Sequence, residues 1–198
     1  VDHPHGMWWI VVGGLVGAVT GCGTRRMLGG FTRDAPIPLG WCEAACAAGF
    51  AAVTLRVGWS PALVPAFALV WWMLAASVVD LRVRRLPNAL TLLGGAAIVG
   101  FALGAGEMRG AVAGALMLAG SYLVLHLVAP SGMGAGDVKL AIGLGAVTGM
   151  AGASAWLLAA ALAPVLSALV GVARRRAGDT IAHGPSMCAA TAVALWCL

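Results

Sequence analysis

The chain has 198 residues, of which 61% are hydrophobic and only 10% charged, with a mean hydropathy of +0.96. A water-soluble domain carries about 25% charged residues, so there are too few here to cover a water-facing surface, and lipid is the expected main solvent. The formal net charge of +5 comes from basic residues in short clusters between apolar segments. That is a topology pattern and not the footprint of a nucleic-acid binder.

A helix needs about 20 apolar residues to cross the hydrocarbon core. The N-terminal Val1-Asp2-His3-Pro4-His5 lacks the basic n-region of a cleavable signal, so the first apolar run, 7–24, is expected to persist as a span. Further runs follow at 39–56, 61–80, 89–105 and 110–129, then a long stretch at 138–173 and a closing run at 184–198. No polar stretch is long enough to fold separately in water, so one membrane domain over 1–198 is the expected organisation. Small residues let membrane helices approach closely. Gly13, Gly17 and Gly21 form one such stripe, Gly100 and Gly104 a second, Gly110 and Gly114 a third.

Whether 138–173 crosses once or twice is decided by charge. With two crossings, Arg25, Arg26, Arg33, Arg82, Arg84, Arg85, Lys139, Arg174, Arg175 and Arg176 fall on one side, ten of the twelve basic residues, leaving only Arg56 and Arg109 on the other. One crossing would move the Arg174–Arg176 triplet and spoil the bias. Cytoplasmic loops carry the Lys/Arg excess. The expected fold is therefore all-α, a polytopic bundle of about eight transmembrane helices with both termini outside, in the plasma membrane.

The sixth helix, expected at about 138–150, is about 20 Å long at 1.5 Å per residue, short of the roughly 30 Å core. The preceding Gly132-Met133-Gly134-Ala135-Gly136-Asp137 then reads as a non-helical loop dipping into the protein. Such backbone is tolerated at depth only where protein or a water-filled cavity surrounds it, which implies a polar cleft near Asp137. The five cysteines, Cys22, Cys42, Cys46, Cys188 and Cys197, contain no C-x-x-C pair. Buried free thiols are the expected state, with no metal and no cofactor.

Seven acids remain to be placed. Asp2 is terminal, Asp34 and Asp179 lie in basic loops, and Glu107 is expected to pair with Arg109 in a tight turn. Glu43, near the cytoplasmic end of the second span, pairs with a loop arginine or snorkels to the interface, a direct functional role being the alternative. Asp80 closes the third run, where a carboxylate faces the negative end of the helix dipole; a salt bridge to Arg82, Arg84 or Arg85 is its ordinary explanation. Asp137 is a good N-cap for a helix beginning at Val138. Two aspartates on one membrane face, one of them delivered by a glycine loop, together favour function.

Converging membrane carboxylates suit aspartic-protease chemistry. Like charges held close share a proton, one acid activating water as general base while the other protonates the peptide carbonyl. The glycines let a substrate backbone pass close to the carboxylate. The helix ends assign the proton to Asp80 and the ionised base to Asp137, although the titration belongs to the pair.

Asp80-Leu81-Arg82, Leu86-Pro87-Asn88 and Gly134-Ala135-Gly136-Asp137-Val138-Lys139-Leu140 together resemble the type IV prepilin peptidase family. G-x-G-D alone is a weak signal; with the upstream Asp and Pro-Asn it is strong. His183-Gly184-Pro185-Ser186 resembles the family's entry into the last span, and the resemblance covers about residues 7–198. It implies that Asp80 and Asp137 are the catalytic pair, carried by loops 80–88 and 130–139, with Gly134, Gly136, Lys139, Pro87 and Asn88 in support. It further implies that prepilin- or pseudopilin-like membrane proteins are cut after a glycine at the cytoplasmic face. Many family members carry two C-x-x-C pairs between the first two helices, linked to N-methylation. Here that loop is only about 25–38 and has none, so a short form without methyltransferase activity is expected. A small proton- or ion-coupled transporter is the competing class, although no inverted repeat is visible between the halves; a passive scaffold would explain the glycines but not the aspartates.

Overall fold

The computed structural model describes residues 5–30, 32, 36–130, 133–174 and 182–197. Asp2, Arg33, Asp34, Gly132, Arg175, Arg176 and Asp179 lie outside the described residues. The described chain forms eight α-helices: α1 (His5–Leu28), α2 (Trp41–Val57), α3 (Leu63–Val83), α4 (Asn88–Ala105), α5 (Met108–Val128), α6 (Ala135–Ala151), α7 (Ala153–Arg174) and α8 (Gly184–Cys197). Five of them, α1, α3, α4, α5 and α7, are long and apolar enough to cross a bilayer. The fold is an all-α, polytopic membrane helix bundle. Large apolar side chains point outward, as lipid permits and water does not: Val19, Leu93, Leu116 and Val128 are 69–78% exposed.

The helices pack as two compact units, Val1–Val83 and Arg84–Leu198. In the first, α1 lies along α2 through the stripe expected from sequence. A Cβ on Gly17 or Gly21 would collide with the α2 backbone at Cys46–Ala47 or Cys42–Glu43. Phe50 of α2 stacks on Phe67 of α3 with ring centroids 4.2 Å apart, and the Trp71 indole donates to Thr24 Oγ1 at 2.7 Å, which ties α3 to α1.

The second unit is built around α6, which packs against α4, α5, α7 and α8. Leu140, Ala141, Leu144, Ala146 and Thr148 are fully enclosed, and a helix apolar all round is a buried one. Its closest partner is α5. A Cβ added to Gly114 would run into Gly145 O and Gly149, and one added to Gly145 would meet Gly114 O and Ala115, so the two backbones touch. Trp156 of α7 donates its indole N–H to Gly114 O at 3.1 Å. The 138–173 stretch does cross over into two helices, parted at Gly152, whose φ of +116° lies in the region that favours glycine. Pro164 interrupts the hydrogen bonding of α7.

Several expectations are corrected. Helix α6 begins at Ala135, three residues before Val138, so Ala135, Gly136 and Asp137 are helical rather than loop, and Asp137 is the third helical residue rather than the N-cap. An acid at that position can accept the N-cap N–H and complements the dipole, which starts the turn ahead of the acid. Gly100 and Gly104 meet nothing within 4 Å; that stripe faces out. Among the described residues no ion pair joins Glu107 to Arg109: Glu107 is the N-cap of α5, and residues two apart on a helix do not face each other. Cys42, Cys46 and Cys188 are buried, but Cys197 is exposed at the end of α8 and Cys22 is half-buried.

Gly114→Ala or Gly145→Ala is expected to lower the unfolding free energy by about 1–3 kcal/mol through overpacking. On the open face, Gly100→Ala should be neutral or stabilise by up to about 1 kcal/mol from helix propensity. Unfolding in mixed detergent micelles measures both.

Candidate active site

The sequence motifs fall at helix ends. Asp80 sits in the last turn of α3, which continues to Val83, and is only 6% exposed. The helix ends at Arg84, whose φ of +54° is the left-handed conformation common after a helix C-terminus. Asp80 belongs to the first unit, beside the buried Ala76 and Val79 of its own helix.

In the second unit, Pro87 is the N-cap of α4 with φ −61° and ψ 138°, the extended geometry proline holds at low cost. Its carbonyl accepts the N–H groups of Leu90 and Thr91 at 3.0 and 3.2 Å. Asn88 opens α4, and its side-chain oxygen accepts Lys139 Nζ at 2.7 Å. A Cβ built on Gly136 would lie 3.0 Å from Leu86 Cβ; a side chain there would push the Leu86-Pro87-Asn88 turn off the first turn of α6. Two contacts thus bring the Pro-Asn and G-x-G-D motifs together. Gly134 is the N-cap of α6, and its N–H donates to Asp137 Oδ2 at 3.2 Å. Asp137 is 6% exposed and stands at the entrance to the most enclosed helix of its unit.

Glu43 has the same local geometry at the start of α2, its Oε2 accepting the Gly40 N–H at 3.1 Å. It also forms an ion pair with Arg25, Nε to Oε1 2.8 Å. Pairing with a loop arginine is therefore the right account of Glu43, with the arginine placed in the last turn of α1.

Two residues near the site had no reading from sequence. His126, in the last turn of α5, holds the Met133 carbonyl at 2.7 Å through Nδ1. Tyr122, buried one turn earlier, lies within electrostatic reach of Asp137. The missed signal is a four-residue period: Gly110, Gly114, Leu118, Tyr122 and His126 form one ridge, and helical residues four apart share a face. Reading the glycine stripe onward would have found both.

An acid held by backbone at the mouth of a closely packed membrane helix defines a polytopic protein with a built polar site. Residues 67–172, rather more than half of the chain, match the type IV leader peptidase family, and the chain belongs to that family. It is a membrane peptidase. No curated protein and no solved structure matches the chain.

The Lys139–Asn88 contact is open to a double-mutant cycle. Lys139→Ala and Asn88→Ala are expected to couple by about 0.5–1 kcal/mol in unfolding free energy, since side chains in contact are not additive. Additive losses would mean that the bond does not form.

Proposed function

We propose that the protein is an aspartic endopeptidase that removes the leader of prepilin- or pseudopilin-like membrane proteins at the cytoplasmic membrane face, with Asp80 and Asp137 as its catalytic pair. The observation that carries this reading is the G-x-G-D turn. Asp137 is buried, held by the Gly134 N–H, and braced through Gly136 and Lys139 against Leu86 and Asn88. The second acid, Asp80, is equally buried at a helix end, and in the topology expected from the charge bias both acids would lie on the side that carries ten of the twelve basic residues. The peptidase would comprise 1–198, with the segments 80–88 and 130–139, largely helix ends, carrying the chemistry.

In this mechanism Asp137, at a helix N-terminus that favours negative charge, takes a proton from water. The resulting nucleophile attacks the carbonyl carbon of the leader's last residue, its glycine. Asp80, at a helix C-terminus that favours its neutral form, protonates the carbonyl oxygen, giving a tetrahedral diol. The diol collapses as one of its hydroxyls returns a proton to Asp80, the C=O bond re-forms, the C–N bond breaks and the departing amine takes up the proton held by Asp137. Gly134, Gly136 and Pro87 keep the approach free of side chains and fix the turn; Lys139 and Asn88 brace it.

Co-expression with a prepilin-type substrate tests the assignment. Asp80→Ala and Asp137→Ala should each lower leader removal by about 10²–10⁴-fold, the usual contribution of a positioned acid or base, with normal membrane insertion. Full cleavage by either variant would exclude the pair. The connection between α1 and α2, residues 29–40, holds no cysteine, which supports a peptidase without methyltransferase activity. With S-adenosylmethionine added, mass spectrometry of the processed N-terminus should find it unmethylated; a methylated product would contradict this.

A further inference from the structure

We propose that His126 is a positioning residue for Asp137, acting through the single peptide unit that joins Met133 to Gly134. The proposal rests on the reading of Asp137 as a catalytic acid. That peptide unit is held at both ends. Its carbonyl, Met133 O, lies 2.7 Å from His126 Nδ1, and its N–H, on Gly134, donates to Asp137 Oδ2 at 3.2 Å. A carbonyl oxygen can only accept, so Nδ1 carries the hydrogen. The chain of bonds runs from the imidazole N–H to the Met133 carbonyl, across the planar amide, and from the Gly134 N–H to the carboxylate.

Two physical consequences follow. The peptide is rigid and planar, so fixing the direction of its carbonyl fixes the direction of its N–H, and with it the rotamer of the Asp137 carboxylate. Bonds in such a chain also polarise one another in a low-dielectric setting; donation to the carbonyl makes the amide N–H a stronger donor to Asp137. Residues just before the N-cap have no helix of their own to orient them, and Met133 lies outside α6. The imidazole comes instead from α5, the helix whose backbone touches α6 at Gly114 and Gly145. The ridge that makes this contact continues through Leu118, whose Cβ would meet a Cβ on Gly145, and Tyr122 to His126. Close packing near the middle of the pair thus sets where the imidazole stands at its end.

The test compares side chains that differ in where the donor sits. Asparagine places its amide nitrogen where Nδ1 lies, while glutamine places it near Nε2, out of line with Met133 O. Full-length wild type, His126→Asn, His126→Gln, His126→Leu and Asp137→Asn are purified and assayed on a prepilin-type substrate with a leader ending in glycine before an apolar helix. His126→Gln and His126→Leu should lower kcat by about tenfold to a hundredfold, the scale of a misplaced catalytic group, with KM changed by no more than about twofold. His126→Asn should recover most of the wild-type kcat. Thermal stability of the Asn and Gln proteins is compared in parallel, because a merely structural histidine would lower stability and activity together in both. Equal kcat for the Asn and Gln variants, or full activity in the Leu variant, would overturn the role of His126 while Asp137→Asn remains inactive. Cleavage retained by Asp137→Asn would instead remove the assignment of Asp137, and this proposal with it.

Discussion

The second unit depends on one contact, the meeting of the α5 and α6 backbones at Gly110, Gly114, Gly145 and Gly149. Lipid offers no hydrophobic gain for bringing two apolar helices together, so association relies on van der Waals contact and hydrogen bonding, which small residues maximise. Glycine on both sides lets main chain lie against main chain. The approach exposes the Gly114 carbonyl to the Trp156 indole, which adds α7 to the pair. It also fixes the axial register of α5 against α6. Leu118, Tyr122 and His126 are carried toward the N-terminal end of α6 in steps of four residues, ending where the G-x-G-D turn begins. A membrane helix that must present a charged group benefits from a rigid neighbour, because a carboxylate left to wander in a low-dielectric setting would lose its hydrogen bonds.

The chain uses one local device twice. Helices α2 and α6 both begin with a glycine N-cap whose N–H bonds an acid at the third helical position, Glu43 in one and Asp137 in the other. The acid satisfies an otherwise orphaned donor and complements the helix dipole. The surroundings separate the two. Glu43 is tied to Arg25, so its charge joins α1 to α2. Asp137 is flanked in its own turn by Gly136 and Val138, with Gly134 two residues beyond, and that turn is packed on Leu86 and Asn88. The same cap therefore joins two helices through an ion pair in the first unit and lies against the Leu86-Asn88 turn in the second.

Much of this was legible in the sequence because the bilayer enforces simple rules. Spans follow from runs of apolar residues, and the arginine count made 138–173 turn back on itself; the break came at Gly152, where a positive φ is needed. The Gly13–Gly17–Gly21 and Gly110–Gly114 stripes proved to be contacts, whereas Gly100–Gly104 faces outward. A stripe states that close approach is possible and leaves open which neighbour arrives. The start of α6 was placed too late because glycine and alanine ahead of an acid read as loop, while the hydrogen bond from Gly134 to Asp137 draws them into the helix. His126 escaped for a different reason. Its partner is a backbone carbonyl seven residues away, and a bond to main chain leaves no mark in residue identity. The same holds for Trp156, which is bonded to Gly114 O.

The central claim is that Asp80 and Asp137 work as one unit, and non-additivity measures that most directly. Rates of leader removal would be compared for wild type, Asp80→Asn, Asp137→Asn and the double variant at saturating prepilin-type substrate, with membrane insertion checked for each. Residues that act together are lost together: once one is removed, the other has little left to contribute. The account predicts that the double variant is no slower than the slower single variant. Losses that multiply, so that the double variant falls far below both singles, would show two independent carboxylates and contradict it.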